Sequence, residues 1–585
     1  MKSKLFKPIA MLRRRLAPLG RFNPLRLLRR RKPVDPFAGF WPEAAEPVGR
    51  LPVLPPFHVP TNSPRWKIAK RTMLVALIFF CFVYGFFYAL FTPYLMAAFA
   101  VPVAVLAGLT VWALPDMRHP PTRSLTIAFF AFLVGLFMWP NYLALALPGM
   151  PWITMIRLTG FPLVTLLLIC LSVSKEFRQT LGGALAAIPW LWKLIIAFVV
   201  LQFALVAVSS HIMDSFQKVL IDQVNWTAIF FASCYVFQRP GRVEKFAALL
   251  WGMAVILSLV GVWEHHLGHV PWRDHVPSFL RVPDDLVQGM LNGSARNAVG
   301  EHRVQATAST PLGFAEFLAL AVPFVVQFLA GKYDLRIRLA AAASVPLMLY
   351  AVIATDSRLG SVGFFLTLLL FPLVWAAKKW RDEKASLVAP AVVLSYPFLF
   401  GLAISAALTV HRLRVKLLGS GAQNASNQSR SDQWHMGVPK ILSHPWGYGC
   451  SMSGAVLGYV ATGSDMPTID TYYLRLLLEY GVIGFVIYFA FIIMAIVFAL
   501  KYVLMRGLKD REYGFLMPIA IALINFTIIK SVFSEEDNHP LMFMMLGAVV
   551  ALVHRYKQTE ALAPKPAARP AAARLRLLPS PAGAA

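Results

Sequence analysis

The chain has 585 residues, of which 58% are hydrophobic and only 14% are charged, and its mean hydropathy is +0.61. A water-soluble protein of this size could not bury that much apolar surface, so the composition excludes a soluble globular protein. Much of the formal net charge of +28 lies in an N-terminal arm and in loops beside apolar runs. Attraction to anionic membrane lipid explains this charge, and we predict no nucleic-acid partner.

The two ends of the chain differ from the rest in composition. Residues 1–32 form a basic arm, which we expect in the cytoplasm as a short amphipathic helix on the membrane. Residues 33–71 are rich in proline and predict an extended linker. Residues 557–585 are rich in alanine and proline and predict a disordered cytoplasmic tail.

Between these ends lie about fourteen apolar runs, each long enough to cross a bilayer as a helix. The sequence therefore predicts an all-α integral membrane protein with about 14 transmembrane helices. We divide it into an N-terminal bundle (72–245), a core that contains two large polar loops (246–500) and C-terminal helices (501–556). The runs begin near Thr72, Met96, Leu125, Thr154, Trp190, Val224, Phe246, Leu312, Leu339, Ser361, Leu387, Tyr472, Gly514 and Leu541.

The basic residues predict the orientation of these helices. Counted forward from a cytoplasmic N-terminus, the loops predicted inside are all basic, as the positive-inside rule requires. Both termini are then cytoplasmic, and the large loops 265–311 and 411–470 share the outer face. A short third outer loop holds Glu535-Glu536-Asp537-Asn538-His539.

Single arginines remain in the outward loops, although these loops are poor in lysine. Arginine presents a planar fork suited to phosphate, so an outward set near the bilayer suggests a lipid diphosphate as ligand. Some of them could instead pair with Asp284, Asp285 or Asp432. We favour function for Arg303 and Arg358, which stand at the mouths of apolar runs. The full set is Arg273, Arg281, Arg296, Arg303, Arg358, Arg412, Arg414 and Arg430.

The loop 411–470 is too long and too rich in aromatic residues to be a simple turn or a disordered tether. Within it, Pro445 favours an extended conformation at His444, and Gly447 and Gly449 allow close backbone approach. The loop and the helix after it contain the motifs Arg430-Ser-Asp-Gln-Trp434, His444-Pro-Trp-Gly-Tyr-Gly449 and Asp470-Thr-Tyr-Tyr-Leu-Arg475-Leu-Leu-Leu-Glu479.

With the segments that begin at Arg303 and at Thr355-Asp-Ser-Arg358, these motifs resemble the O-antigen ligase and Wzy-type polysaccharide polymerase superfamily over residues 245 to 500. The resemblance implies a GT-C-like membrane glycosyltransferase of the bacterial inner membrane, working on the periplasmic face without metal or cofactor. Its substrate would be an undecaprenyl-diphosphate-linked oligosaccharide, and a flippase and a chain-length regulator are possible partners. We expect substrate binding by Arg430, Trp434, His444, Tyr472 and Glu479.

The family's two important arginines match Arg303 and Arg358, which would stabilise the charge on the leaving diphosphate. Where ligases carry a histidine before the helix that follows the large loop, this chain has Asp470. Asp470 could orient the acceptor hydroxyl or take its proton, or it could be the N-cap of the next helix. The departure favours a polymerase of exopolysaccharide or O-antigen over a ligase that transfers glycan to lipid A core or protein.

Other charged residues allow structural interpretations. Arg475 and Glu479 are spaced to pair on one helix face, and Glu316 and Lys530 are similar intramembrane candidates. His265 and His269 share a spacing that zinc can use, but no further ligands accompany them, so we predict no metal. A transporter of lipid-linked glycans and a peptidoglycan polymerase remain as other classes; a transporter should show inverted repeats, and none is visible.

Overall fold

The protein is described by a computed structural model over residues 68, 71–79, 105–117, 120–146, 152–293, 300–409, 424–460, 467–505 and 511–562. All of them belong to one unit of the chain, residues 56–585. The predicted basic arm, most of the linker and residues 563–585 of the tail lie outside the described residues.

The first half of the described chain is helical apart from one small hairpin. Residues 71–79 and 105–113 are helical and precede the first complete helix. The next elements are α1 (Thr122–Met138), β1 (Ala144–Leu145), β2 (Ile153–Thr154), α2 (Met155–Val173), α3 (Lys175–Leu185), α4 (Pro189–Val206), α5 (Ile212–Asp222), α6 (Ala228–Val236), α7 (Arg242–Leu267) and α8 (Asp285–Asn292). The strands pair antiparallel, and a π-helical turn, Gln223–Thr227, joins α5 to α6.

The second half contains longer helices. They are α9 (Pro311–Ala330), α10 (Leu335–Ala354), α11 (Arg358–Asp382), α12 (Val388–Thr409), α13 (Asn424–Ser443), α14 (Ser453–Leu457), α15 (Tyr472–Val503), α16 (Leu516–Lys530) and α17 (His539–Leu562). Because α17 continues to Leu562, its last turns extend past the boundary that we predicted at residue 556.

Ten helices among the described residues are long and apolar enough to cross a membrane, which makes this a multi-pass membrane protein. Two further predicted runs correspond to shorter apolar helices, α1 and the first part of α12. The runs predicted near Thr72 and Met96 fall mostly outside the described residues. The prediction of an all-α membrane protein is therefore confirmed, whereas the count of fourteen stays a prediction.

Three helices form the centre of the bundle. α9, α16 and α17 are buried over most of their length, while the other spans have mostly exposed outer faces. α9 packs against α7, α10, α11 and α16, and α15 packs against α4 and α16. Helices from all three predicted membrane regions therefore pack together around one apolar core.

The long polar loop is more ordered than predicted. Its described part contains the 20-residue helix α13, the short helix α14 and a bridge between Val460 and Pro467. α13 packs on α15 through a small apolar cluster that includes Ile441, Leu474 and Leu478. The polar residues of this segment are thus held on a helix.

Helix α15 is broken at Gly481, which has φ +66° and ψ −171°. The turn that follows His444 docks at this break. Val482 N–H donates to the Pro445 carbonyl (2.9 Å), and Gly449 N–H donates to the Glu479 carbonyl (3.0 Å). A Cβ atom on Gly447 would lie 2.5 Å from the Glu479 carbonyl oxygen, so only glycine fits there. The close backbone approach predicted for Gly447 and Gly449 is confirmed.

Candidate active site

Arg303 and Arg358 are brought together by the turn between α10 and α11. The Arg303 Nε–H donates to the Thr355 carbonyl (2.9 Å), and Val304 N–H donates to the Ala354 carbonyl (3.2 Å). Arg358 is the first residue of α11, whose N-cap Ser357 accepts a hydrogen bond from Gly360 N–H (3.1 Å). Two arginines from distant segments therefore flank one helix N-terminus, an arrangement that favours anions.

The loop that carries Arg303 is fixed by Glu264, near the end of α7. Its buried carboxylate accepts hydrogen bonds from Ala306 N–H (2.7 Å), from Gln305 N–H (3.1 Å) and from His302 Nε2 (2.6 Å). The sequence analysis gave no role to Glu264, because its partners lie about 40 residues away along the chain, a separation that local pattern reading does not reach.

Helix α13 brings a third arginine to the same place. Arg358 Nη2 donates to Asn427 Oδ1 (3.3 Å), and Arg430 stands one turn further along the helix. Burial lowers the pKa of Arg430 below its ordinary value; Asp470 opposes this shift and Arg358 adds to it. Burial also lowers the pKa of Arg303, opposed by Asp356. Arg303 and Arg430 nevertheless remain charged near neutral pH, because the guanidinium group is not deprotonated in proteins.

Asp470 precedes α15 but is hydrogen-bonded to residues of α13, and it does not cap α15. Its backbone N–H donates to Gln433 Oε1 (2.9 Å), and its carboxylate accepts from Ser429 Oγ (3.4 Å). The N-cap of α15 is Thr471, which makes no side-chain capping hydrogen bond. The N-cap interpretation of Asp470 was therefore wrong, because the carboxylate is directed to a different helix. Its role as base or orienting anion stays a prediction.

Trp434 lies beside the arginine cluster, whereas His444 follows the other end of α13. Trp434 lies on α13 one turn after Arg430, half-buried against the apolar cluster beneath that helix. His444 is exposed, and its Nδ1 lies 2.9 Å from the Tyr448 hydroxyl. The His444 ring also contacts the ring of Trp446. Both side chains remain candidates for substrate contact.

Tyr472 and Glu479 lie inside the bundle, each only 1% exposed. Tyr472 packs against the rings of His539 and Tyr488. Glu479 pairs with Arg475 (3.1 Å), which confirms the predicted ion pair, and it accepts from Ser453 Oγ (2.7 Å). The structure does not bring these two side chains to the accessible surface of the arginines. Burial and these contacts favour a structural role for both, and their assignment as substrate-binding residues stays a prediction.

The turn between α16 and α17 contacts both the segment before Asp470 and the segment after Arg303. Ser534 Oγ donates to the carbonyl of Ile469, next to Asp470, and Thr310 Oγ1 donates to Glu535 (2.7 Å). Burial, and then Asp537, raise the pKa of Glu535 to about 8. Burial likewise raises the pKa of Asp537. The sequence interpretation gave no role to these carboxyl groups.

Glu536 differs from its neighbours because two cations hold it. Lys218 and Arg475 both pair with its carboxylate, the latter at 3.4 Å. Burial alone would raise the pKa of Glu536, but the two cations outweigh it and hold the pKa below its ordinary value. Deeper in the bundle, Lys530 pairs with Glu316 (3.0 Å), so the two intramembrane candidates are partners.

The described residues contain no group of three or more His, Cys, Asp or Glu side chains placed to hold a metal ion. His265 packs against Tyr350, and His269 Nδ1 lies 3.0 Å from the Val270 carbonyl oxygen. What the cluster offers chemically is three cations, one helix N-terminus and the carboxylate of Asp470, a set suited to an anionic leaving group and a nearby proton acceptor.

Fold and candidate site together define a multi-pass membrane protein with a cluster of three arginines where α11, α13 and the loop before α9 approach one another. Residues 343–489 match the family model described as O-antigen ligase, so the resemblance seen in the sequence is confirmed over this region. Members of that family are glycosyltransferase-like ligases and polymerases. The match includes Arg358, Arg430 and Asp470 but not Arg303. No curated protein matches the chain.

Proposed function

We propose that the protein is a membrane glycosyltransferase that polymerises undecaprenyl-diphosphate-linked oligosaccharide units into exopolysaccharide or O-antigen. The observation that carries this proposal is the meeting of Arg303 and Arg358 at the start of α11, with Arg430 and Asp470 beside them. Its substrate is a lipid-linked glycan, it contacts membrane lipids, and a flippase and a chain-length regulator are candidate partners.

The proposed reaction needs both signs of charge. An acceptor hydroxyl attacks the anomeric carbon of the donor sugar, and the bond from that carbon to the diphosphate oxygen breaks. The lipid diphosphate leaves with the electron pair, so negative charge grows on its oxygens, where Arg303 and Arg358 would stabilise it. The hydroxyl proton passes to the Asp470 carboxylate, which acts as general base.

The lysine variants of both arginines test the proposal. Lysine keeps the charge but not the planar fork, so Arg303→Lys and Arg358→Lys should each lower polymer formation by about 100-fold while the protein still inserts. Arg338→Lys is the matched control, since Arg338 is exposed and donates to the Leu329 carbonyl of its own helical hairpin. Polymer length is measured on gels and normalised to membrane protein; near-normal polymer from both lysine variants would remove the arginines from the site.

The proposal includes an inner-membrane location with both termini in the cytoplasm and the cluster in the periplasm. Cysteine substitutions at Gln288 and Gln428 test it in a chain whose native cysteines are replaced. Gln428 is exposed on α13, and Gln288 lies on α8. Both should react with an impermeant thiol reagent from outside, and reaction of only one would break the proposed topology.

The second candidate is a ligase that transfers glycan to lipid A core or protein, because the matching family model bears that description. Deletion separates the two. Loss of a polymerase leaves single repeat units on the carrier, whereas loss of a ligase leaves long chains on the carrier and none on the acceptor.

A further inference from the structure

Gln433 is a fully enclosed polar side chain near the arginine cluster. It lies on α13, one turn beyond Arg430, and is 0% exposed. Its Oε1 accepts the backbone N–H of Asp470 at 2.9 Å. Only the amide oxygen can accept that hydrogen bond, so the orientation of the amide is fixed by its neighbour.

This orientation leaves a donor without a partner. Gln433 Nε2 is buried and has no hydrogen-bond partner within the described part of the chain, and Arg430 Nε is in the same condition. Buried donors are nearly always satisfied, and an unsatisfied one calls for an explanation. Here two such donors stand one turn apart on the same helix.

The surrounding charge indicates which kind of atom would accept hydrogen bonds from Gln433 Nε2 and Arg430 Nε. Arg358 donates to Asn427, one turn before Arg430 on α13, so two guanidinium groups lie within two turns of Gln433 and favour negative charge there. Asp470 already receives a hydrogen bond from Ser429 and stands on the other side of the amide. A phosphate oxygen fits this position better than a sugar hydroxyl, because two guanidinium groups strengthen its attraction.

We propose that Gln433 is a diphosphate-binding residue: its Nε2–H donates to an oxygen of the lipid diphosphate while its Oε1 holds the backbone of Asp470. This inference rests on the proposed function. It assigns one side chain two tasks, binding the leaving group and placing the proton acceptor beside it. Helix α13 would then position both the side chain that binds the leaving diphosphate and the carboxylate that accepts the proton.

Two substitutions separate the tasks. Gln433→Glu keeps an oxygen for the Asp470 N–H but replaces the free donor with a negative charge. Gln433→Met removes both hydrogen bonds and keeps the volume. Gln428→Glu is the matched control, because it adds the same charge on the exposed face of the same helix.

The measurement is binding of sugar-free undecaprenyl diphosphate to the purified full-length protein in detergent, together with its thermal unfolding temperature. We expect Gln433→Met to weaken binding about tenfold and Gln433→Glu more, since a charge-assisted contact becomes a repulsion. Gln428→Glu should bind within about twofold of wild type, because charges across solvent are screened.

The outcomes are distinct. Wild-type binding that Arg358→Lys weakens and both Gln433 variants leave intact would overturn the role of Gln433 while the proposed function stands. Equal loss in both Gln433 variants, in step with a lowered unfolding temperature, would also overturn it and leave a purely structural side chain. Absence of binding by the wild type, or binding that Arg358→Lys leaves unchanged, would overturn the proposed function itself.

Discussion

Charged residues occur in two regions of this molecule, and the two are organised in opposite ways. Inside the bundle every charge discussed above has an opposite partner: Lys530 with Glu316, Arg475 with Glu479, and Glu536 with Lys218 and Arg475. In the arginine cluster, Arg303, Arg358 and Arg430 lie among backbone carbonyls and an amide, and they outnumber the two nearby aspartates, Asp356 and Asp470. Paired charges in a low-dielectric interior hold helices together, whereas clustered like charges are costly unless a ligand completes them.

From this comparison we expect that removing one partner of a buried ion pair lowers the yield of folded protein. Substitutions in the arginine cluster should instead lower activity. The largest effect should follow Lys530→Met, because Lys530 is 0% exposed and its loss leaves Glu316 charged and buried. Removal of one partner of a buried pair costs about 3–5 kcal/mol. We expect little folded protein by fluorescence-detected size-exclusion chromatography. The double variant Lys530→Met with Glu316→Leu should recover much of it; no recovery would show that the pair acts as more than mutual compensation.

The next effect should be catalytic. Asp470→Asn keeps the backbone contact to Gln433 but cannot take a proton, so polymer formation should fall ~100-fold or more with normal membrane levels. Asp470→Ala should be no more active. Because Asp470 does not cap α15, neither variant should lower the unfolding temperature. An active Asn variant would end the base hypothesis and direct attention to His444.

The break in α15 provides an uncharged case for the same comparison, because its effect on stability depends on backbone geometry alone. A Cβ atom on Gly481 would lie 2.2 Å from the Pro445 carbonyl oxygen, and φ there is +66°. Gly481→Ala should therefore cost roughly 1–3 kcal/mol of stability. Gly252→Ala on α7 is the control, because nothing lies within 4 Å of its added Cβ. Equal unfolding temperatures for both variants would argue against a fixed break.

The smallest effect concerns Glu535, whose pKa of about 8 is raised by burial and by Asp537. The unfolded chain releases this proton near pH 4.5 and the folded one near pH 8. The stabilising contribution is therefore complete below about pH 4.5 and is lost as the pH rises through about 8. We expect a loss of at least about 1.4 kcal/mol, the value of one pKa unit. Unfolding temperatures from pH 5 to 8 measure it: Glu535→Gln should flatten the slope and the exposed control Glu383→Gln should not.

The sequence predicted those parts of the molecule that depend on local pattern. Apolar runs located the membrane helices, and the spacing of Arg475 and Glu479 predicted their pair. The resemblance placed Arg303 and Arg358 in one site; Arg303 donates to the Thr355 carbonyl in the turn before Arg358, and their shared role stays a prediction. Helix α13 was missed because its first turns are rich in Asn and Ser, which favour helices weakly. Packing on α15 stabilises it, and no local pattern carries that information.

The contacts that were missed join residues far apart in the chain. Glu264 reaches backbone groups near residue 305, and Thr310 reaches Glu535 across 225 residues. Neither pair has a motif, because each needs only a carboxylate and a donor that the fold brings together. The N-cap interpretation of Asp470 failed for a related reason: position before a helix is local, but the direction of the side chain is decided by the helix packed against it.

The interrupted helix α15 also bears on how the protein is made. The turn at residues 445–449 leaves the ribosome before α15 does, yet its backbone partners are the peptide groups of Leu478, Glu479 and Val482. Unsatisfied peptide groups are costly in lipid, so α15 would enter the membrane unbroken and open at Gly481 only when the turn arrives to replace the lost hydrogen bonds. Docking of residues 445–449 at the break would thus follow membrane insertion as a separate step. A chain could then be fully inserted and still inactive.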